Sequence, residues 1–475
     1  MFIAPESRSL LPESAERLAA GARALQRIDR FFETLPDRPT GPQLSRDEIQ
    51  ARLGAFDFAE PLPLSSAIDA AADLLEAGGL HCGHPRYLGL FNPTPAYAGV
   101  VADLLTAAYN PNLACWTHAP AAVEIEAHAI ATVAGLVGYR SEERAGHFTT
   151  GGAEANATAL YCALTRACPA YAEVGVGAFE GTPVFYASAD SHLAWLKIAH
   201  QAGVGRNALR LVPTDGAGRL DPEALARMVQ EDRAAGRRPV MAAATAGATG
   251  SGVIDPLPEI AALARVEGLY FHVDAAWGGA ALFSRSLRAC LAGIEQADSV
   301  TLDAHKWLAV PMGAGMFLAR DRSLLARTFA VSTSYMPPGA TELDGYTHSI
   351  QWSRRFIGLK LFLALAQLGL GGYEAMVDRQ AKLGRLLRGR LTASGWACVN
   401  ETPLPVVCFE KPGLDLARLA AEVVAGDSAW ISTTAFEGRT VLRACVSGFR
   451  TGKADIAAVC DLIEASAARQ ATGND

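Results

Sequence analysis

Residues 299–310 read SVTLDAHKWLAV, and this stretch decides both the fold and the chemical question. Its apolar flanks read as a buried strand and its continuation, yet Asp303, His305 and Lys306 sit between them. The chain has six lysines, at 197, 306, 360, 382, 411 and 453, among 42 basic residues; the rest are arginine. A lysine at a buried strand end is therefore a marked choice. Unlike arginine, it can lose its proton and attack a carbonyl.

Working outward, helix and strand patterns alternate. AVEIEAHAIATVAGLVG is helical, GHFTTGG ends a short strand in a glycine turn, and AEANATALYCALTRA follows as a helix. PVFYAS, ALRLVP, VMAAATAG, LYFHVDAA and SVTLDAHKW read as strands, and HLAWLKIAHQAG, DPEALARMVQEDRAAG and LPEIAALARVEG as the helices among them. Such alternation predicts an α/β architecture, a mainly parallel sheet with helices on both faces. The last hundred or so residues change character. A helix, MVDRQAKLGRLLRGRLTASG, precedes strands PVVCFEK and TVLRACVS and a closing helix, which predicts a small α+β C-terminal domain. At the other end, residues 12–35 place Leu18, Leu25, Ile28 and Phe32 on one helical face. A second helical stretch spans about residues 65–77.

Composition narrows the class. The chain has 475 residues, half of them hydrophobic, and a formal charge of −7. It can bury a large core over two or three domains, and no basic run suits nucleic acid or an anionic membrane. Nine cysteines lie without a CxxC pair, as expected of reduced thiols in a cytoplasmic protein. No secretory leader and no uninterrupted bilayer-length apolar run is read. His81, Cys82 and His84 lack the downstream ligands of a zinc module, so no metal is expected.

Four features could carry chemistry. In HFTTGGAEANATAL, Gly152 and Ala153 open a helix after a strand, where free N–H groups and the helix dipole favour an anion. A turn needing glycine for steric reasons alone would look the same. Asp274, in LYFHVDAAWGGA, ends a buried strand and needs a cation or several donors. A cap or an arginine pair is the ordinary alternative. Ala276 is small enough to let a flat ring lie against the backbone. His192, just past a strand end, could stack on an aromatic ligand. Lys306 could be made nucleophilic by desolvation. An anion cradle, a buried acid, a stacking imidazole and a poised amine are together what pyridoxal 5′-phosphate requires. No GxGxxG opens a helix after the first strand, which argues against a dinucleotide enzyme.

From HPRYLG at residue 84 to VLRACVSGFRT at residue 451, the chain resembles the group II pyridoxal-phosphate-dependent amino acid decarboxylases. The resemblance implies the PLP-dependent transferase fold type I: an N-terminal helical segment (1–83), a large PLP-binding domain (84–345), and a linking helix with the small C-terminal domain (346–475). It also implies a homodimer with its site at the interface, and an amino acid as the small-molecule substrate. Lys306 matches the imine-forming lysine with His305 beside it, and Asp274 the partner of the ring nitrogen. Ala276 and His192 match residues on the two ring faces, Gly152 and Ala153 phosphate-binding positions, and Thr245 a threonine near the cofactor. Tyr335 in STSYMPPG falls where the family's catalytic loop carries the tyrosine that returns a proton to Cα, assisted by His192. Tyrosine there favours decarboxylation to the amine, whereas phenylalanine in relatives implies aldehyde formation.

For the substrate, Phe91, Thr94, Asn112, Trp116 and Arg443 are the expected contacts, with Arg443 near the substrate carboxylate. In the animal aromatic decarboxylases two bulky apolar residues precede the tryptophan of a segment lent by the neighbouring subunit. Here YNPNLACWTHAP has Asn112 and Ala114 before Trp116, a roomier and more polar lining. Phe91 and Trp352 could form an aromatic wall, whereas Arg86, Arg354 or Arg355 could serve an acidic substrate. Decarboxylation of an aromatic L-amino acid is the expectation. An acidic or diamino acid substrate, or aminotransferase chemistry on the same fold, are the alternatives.

Overall fold

The computed structural model describes residues 10–142, 144–331 and 343–472. The alternation forms one seven-stranded sheet from β1 (Ala145–Thr149), β2 (Pro183–Ser188), β3 (Leu209–Val212), β4 (Arg238–Thr245), β5 (Tyr270–Asp274), β6 (Ser299–Asp303) and β7 (Gly315–Ala319), in the order β1-β7-β6-β5-β4-β2-β3. The pairs from β3 across to β6 are parallel, and β7 runs antiparallel to both its neighbours. β7 was not anticipated: GMFLA is five residues with no flanking alternation to mark it. Strand β6 stops at Asp303, so AHKW belongs to the turn that follows.

Period-two alternation sorts the strand residues onto two faces. Val273, Val300, Leu302 and Leu318 enter one core with the helix Pro120–Val137. Phe185, Met241, Tyr270 and Phe317 pack instead with the helix Gly152–Ala167. This second face also carries the buried polar residues Thr245, Asp274 and Asp303 at the C-terminal ends of β4, β5 and β6, with His272, Ser299 and Thr301 earlier along β5 and β6.

The long helix Leu359–Ala393, broken at Gly369 (φ 64°), leads to a four-stranded antiparallel sheet. Its strands are β8 (Ala397–Cys398), β9 (Val406–Glu410), β10 (Ser432–Phe436) and β11 (Arg439–Cys445), in the order β10-β11-β9-β8. Helices Leu416–Ala425 and Lys453–Thr472 cover it. The segment at Leu88 joins this sheet: its N–H donates to the Trp430 carbonyl and its carbonyl accepts from Cys445 N–H, both at 2.8 Å.

At the N-terminus, Ser14–Thr34 and Leu64–Gly78 are helices, as expected, and Arg46–Leu53 adds a third with a capping box at Ser45 and Glu48. Arg23 and Arg27 of the first helix, and Arg38 just beyond it, pair with Asp69, Asp73 and Glu76 of the helix Leu64–Gly78. Ile28 and Phe32 are half-buried, but Leu18 and Leu25 are 72% and 44% exposed, so part of the anticipated apolar face is uncovered in the single chain.

Among the described residues, Pro120–Val137 alone has the length and hydropathy of a membrane span. Its buried Glu126 explains its actual place. Glu126 Oε1 accepts from the N–H groups of Ile357 and Gly358 at 2.9 and 2.8 Å, and Oε2 lies 2.6 Å from Arg354 Nη1. That contact is an ion pair whose angle falls outside hydrogen-bond geometry, and both side chains are 4% exposed. Removing one partner strands the other. Glu126→Ala is expected to lower unfolding free energy by about 3–5 kcal/mol, read from urea denaturation against wild type.

Candidate active site

The turn after β1 delivers the anion cradle. Gly152 opens a 16-residue helix, and the first-turn N–H groups of Gly152 and Ala153 have no acceptor inside that helix. A Cβ on Gly152 would lie 3.0 Å from Asp303 Oδ2 and 3.2 Å from the Ala276 Cβ, so only glycine leaves the floor of the cradle open. Glu154 folds back, accepting from the Thr150 N–H at 2.8 Å and the Thr150 hydroxyl at 2.7 Å. Gln351 Nε2 holds its other oxygen at 2.5 Å.

Asp274 ends β5 and is 7% exposed. Its Oδ1 accepts from Ala276 N–H at 3.1 Å and its Oδ2 from Asn156 Nδ2 at 2.7 Å. Among the described residues no arginine or lysine pairs with it. A carboxylate has room for about four donors. Two are present, so capacity remains on the cavity side for a cationic N–H. Behind it, the His272 ring lies 3.0 Å from Asn156 Oδ1 and 2.8 Å from Ser299 Oγ. Burial pushes this imidazole down to about 4, so it is neutral near pH 7.

Lys306 lies in the tight turn beyond β6. Its N–H donates to the Asp303 carbonyl, its own carbonyl accepts from Ala309 N–H, and Ala309 takes a left-handed φ of 56°. The Lys306 amine, with its side chain 25% exposed, sits 3.0 Å from Asp303 Oδ2. His305 Nδ1 accepts from Ala314 N–H at 3.1 Å, which places the ring proton on Nε2, 3.7 Å from the same carboxylate. Burial lowers the His305 pKa.

One cavity gathers Gly152, Ala153, His192, Thr245, Asp274, Ala276 and Lys306, seven of the eight cofactor positions expected from sequence. His305 backs Asp303 just behind it. Thr245 closes β4 opposite Asp274, and Asp255 Oδ2 accepts from its N–H at 2.7 Å. Burial raises the Asp255 pKa to about 7. His192 is exposed at the cavity mouth, with Nδ1 accepting from Ala194 N–H. Trp277 also lines the cavity, stacked on Trp307 (5.3 Å, 11°) and packed against the tilted ring of Phe91 (4.5 Å, 36°).

The expected substrate residues are less concentrated. Arg443 lines an adjoining space of about 520 Å³ that shares His192 and Thr249 with the first. It donates to the carbonyls of Thr249 and Gly89 and to Ser432 Oγ, leaving two of its five N–H groups uncommitted. The Thr94 hydroxyl is committed to Gly83 O at 2.6 Å. Asn112 Oδ1 accepts from Ala114 and Arg354 N–H, and Trp116 Nε1 donates to Glu124. Neither lines this chain's own cofactor cavity. Tyr335 lies outside the described residues.

The lining therefore fits pyridoxal phosphate: a glycine floor below unpaired N–H groups, a buried carboxylate with free acceptor capacity, and an amine facing the same space. Asn156, His272, Asp303 and Trp277 complete the site and were not assigned roles from sequence. His272, two residues before Asp274 on one strand face, was a usable signal. Asn156 gave none, because a helical asparagine is common and its partner is 118 positions away.

The pyridoxal-dependent decarboxylase conserved domain matches residues 58–411, and the chain belongs to that family. It is 34% identical over 334 residues to the acidic amino acid decarboxylase GADL1 of Bos taurus, covering 69% of this chain and 63% of that one. It is 30% identical over 386 residues to the aromatic-L-amino-acid decarboxylase of Bacillus atrophaeus, covering 78% of each. The crystal structure of mouse CSAD superimposes with a TM-score of 0.89 at 26% identity, over 96% of this chain and 99% of that one. The protein is accordingly a pyridoxal-phosphate-dependent carboxy-lyase of fold type I acting on an amino acid.

The purified protein is expected to be yellow. Lys306→Ala is expected to remove the borohydride-reducible chromophore while leaving the circular dichroism spectrum unchanged. Acid should also loosen the fold. His147 and His348 join His272 as buried imidazoles held below their ordinary 6.5, so unfolding frees them to bind protons. Their contribution is complete above about 6.5 and is lost as pH falls toward about 4. Urea midpoints measured at falling pH should drop through that window, and replacing His348 by Gln should flatten the slope.

Proposed function

We propose that the enzyme decarboxylates an aromatic L-amino acid to the corresponding amine and CO2. The observation carrying this choice is the disposition of cations beside the aromatic wall. Arg354 is held by Glu126 and Arg355 by Asp103, so two candidates for an acidic side chain are already engaged. Among the described residues, Lys306 is the one lysine or arginine lining the cofactor cavity, and Arg443 the one lining its neighbour. Trp277 lines the cofactor cavity, with Phe91 packed against it at 4.5 Å.

Pyridoxal phosphate, when bound, supplies an electron sink for the pair released as the Cα–carboxylate bond breaks. The chain's residues do the rest. Gly152 and Ala153 N–H groups would hold the phosphate, and Asp274 would accept from a protonated ring nitrogen. Lys306 Nζ, facing the same cavity, would be the amine that holds the cofactor's aldehyde carbon. Arg443 directs two N–H groups at the α-carboxylate, and His192 covers a ring face. Tyr335, assisted by His192, returns a proton to Cα, which commits the reaction to amine.

Two further parts of this reading concern assembly and setting. The enzyme works as a homodimer in which residues 112–116 of one copy serve the other's site. Exposed Leu18 and Leu75 on the N-terminal helices and Leu104 and Tyr109 on the helix Tyr97–Tyr109, together with the absence of Asn112 and Trp116 from the lining of their own cofactor cavity, support this. A cytoplasmic setting agrees with nine free cysteines.

A panel of amino acids scored for CO2, amine, aldehyde and α-keto acid tests the whole proposal. Tyrosine, dopa, tryptophan or phenylalanine should give amine and CO2 at a kcat/KM at least about tenfold above glutamate, aspartate or diaminobutyrate. Preference for aspartate or cysteine sulfinate would favour the acidic relatives' chemistry, and keto acid without CO2 would make it an aminotransferase.

A further inference from the structure

We infer that Asn156 is a positioning residue whose amide, oriented by His272 and Ser299, fixes the Asp274 carboxylate for its ring-nitrogen partner. The inference rests on the reading of Asp274 above and goes beyond it, by naming what holds that acid in place.

The donor order of the chain is forced. Among the described residues no lysine or arginine pairs with Asp274, which, ionised, can only accept. Asn156 must therefore present its NH2 to Oδ2, 2.7 Å away, and its carbonyl oxygen to the other side. That oxygen faces His272 Nε2 at 3.0 Å, so the ring proton is on Nε2. Nδ1 is then an acceptor and takes the Ser299 hydroxyl proton at 2.8 Å. Thr301 Oγ1, 3.4 Å from Nε2, lies on the same face. Every member is buried: Asn156 2%, His272 0%, Ser299 0%, Thr301 0% and Asp274 7% exposed.

Burial of this completeness excludes water as a substitute donor, so deletion of one member leaves polar atoms unpaired. A second feature keeps the order from reversing. Trp195 packs edge-on to the His272 ring at 5.9 Å, and the imidazole stays neutral because burial disfavours its cation. A cationic ring would donate from both nitrogens and expel the Ser299 proton donor. The neutral, singly protonated ring gives the amide one permitted orientation, and that orientation points a donor at Asp274.

The consequence is electrostatic as well as geometric. A donor on Oδ2 stabilises the ionised form of Asp274, and an ionised Asp274 stabilises a protonated ring nitrogen. Without the Asn156 donor, the Asp274 carboxylate keeps one hydrogen bond in place of two, and a proton between it and the ring nitrogen would sit closer to the carboxylate.

The test reads the ring nitrogen directly, without turnover. Full-length protein is reconstituted with pyridoxal phosphate carrying 15N in its ring, and its 15N resonance is followed against pH for wild type, Asn156→Ala, His272→Leu and His272→Gln. Wild type should show the pyridinium resonance through neutral pH. In Asn156→Ala the resonance at neutral pH should move toward neutral pyridine, because the proton moves from the ring nitrogen toward Asp274, the balance between the two positions changing by about ten- to a hundredfold, the equivalent of one charge-assisted hydrogen bond. His272→Leu should shift it in the same direction. His272→Gln, which still offers an N–H to Asn156 Oδ1, should restore the wild-type value. An unchanged resonance at neutral pH in Asn156→Ala overturns the inference, as does an equal shift in His272→Leu and His272→Gln, which would mean packing alone matters. Should Asn156→Ala not fold, the His272 pair decides by itself. A wild-type ring that is neutral at pH 7 would instead overturn the role given to Asp274.

Discussion

An uncompensated carboxylate at the end of a buried strand is the constraint around which the molecule is arranged. Burying an ionised acid without a cation is costly unless donors surround it. Asp274 receives one donor from its own backbone neighbourhood and one from Asn156 across the helix–sheet interface. The remaining acceptor capacity opens toward a cavity shared with Lys306 and the glycine turn. The polar file on β5 and β6 makes sense in these terms. His272, Ser299 and Thr301 lie on the one strand face where the helix Gly152–Ala167 can supply a counterpart, while the opposite face stays apolar.

How much of this was legible in the sequence depended on whether the signal was local. Strand-end residues such as those in VDAA and LDAHKW were visible locally, each with an ordinary explanation of its own, and gained their meaning as a set. The glycine turn was equally local. Asn156 acts through a contact closed only by tertiary packing, and its sequence surroundings are those of any helix. Asp303 was visible but silent, since nothing in the sequence says that its carboxylate turns back onto Lys306 rather than outward. The seventh strand escaped because a five-residue apolar run carries no period of its own.

Substrate contacts were the least legible because they come from loops and from more than one domain. Thr94 illustrates the difficulty: its position near the site was anticipated, yet its hydroxyl is tied to a backbone carbonyl. Arg443 shows the opposite case. Three of its N–H groups bind Thr249, Gly89 and Ser432, which joins the large domain, the Leu88 segment and the small sheet through one guanidinium. That anchoring holds the remaining donors in a fixed direction. An arginine so fixed is a better recogniser of a planar carboxylate than a free one, because less side-chain entropy is lost on binding.

The division of labour between strands and loops follows from the same geometry. Thr245, Asp274 and Asp303 terminate β4, β5 and β6, adjacent parallel strands, with Lys306 one turn beyond the last. Neighbouring strands lie about 4.8 Å apart, so three strand ends span roughly the width of one aromatic ring and its substituents. The spacing is set by backbone hydrogen bonds, not by side-chain packing, and substitutions elsewhere in the core cannot easily alter it. Loops such as the one carrying His192 then vary what lies above the ring without disturbing what lies beneath it. A sheet edge that fixes an acid, an amine and an anion cradle in register is therefore compatible with decarboxylases of different substrates. Phe91, Trp277, Arg443 and the segment around Asn112 lie outside these strand ends, where a change of residue leaves the strand spacing as it is.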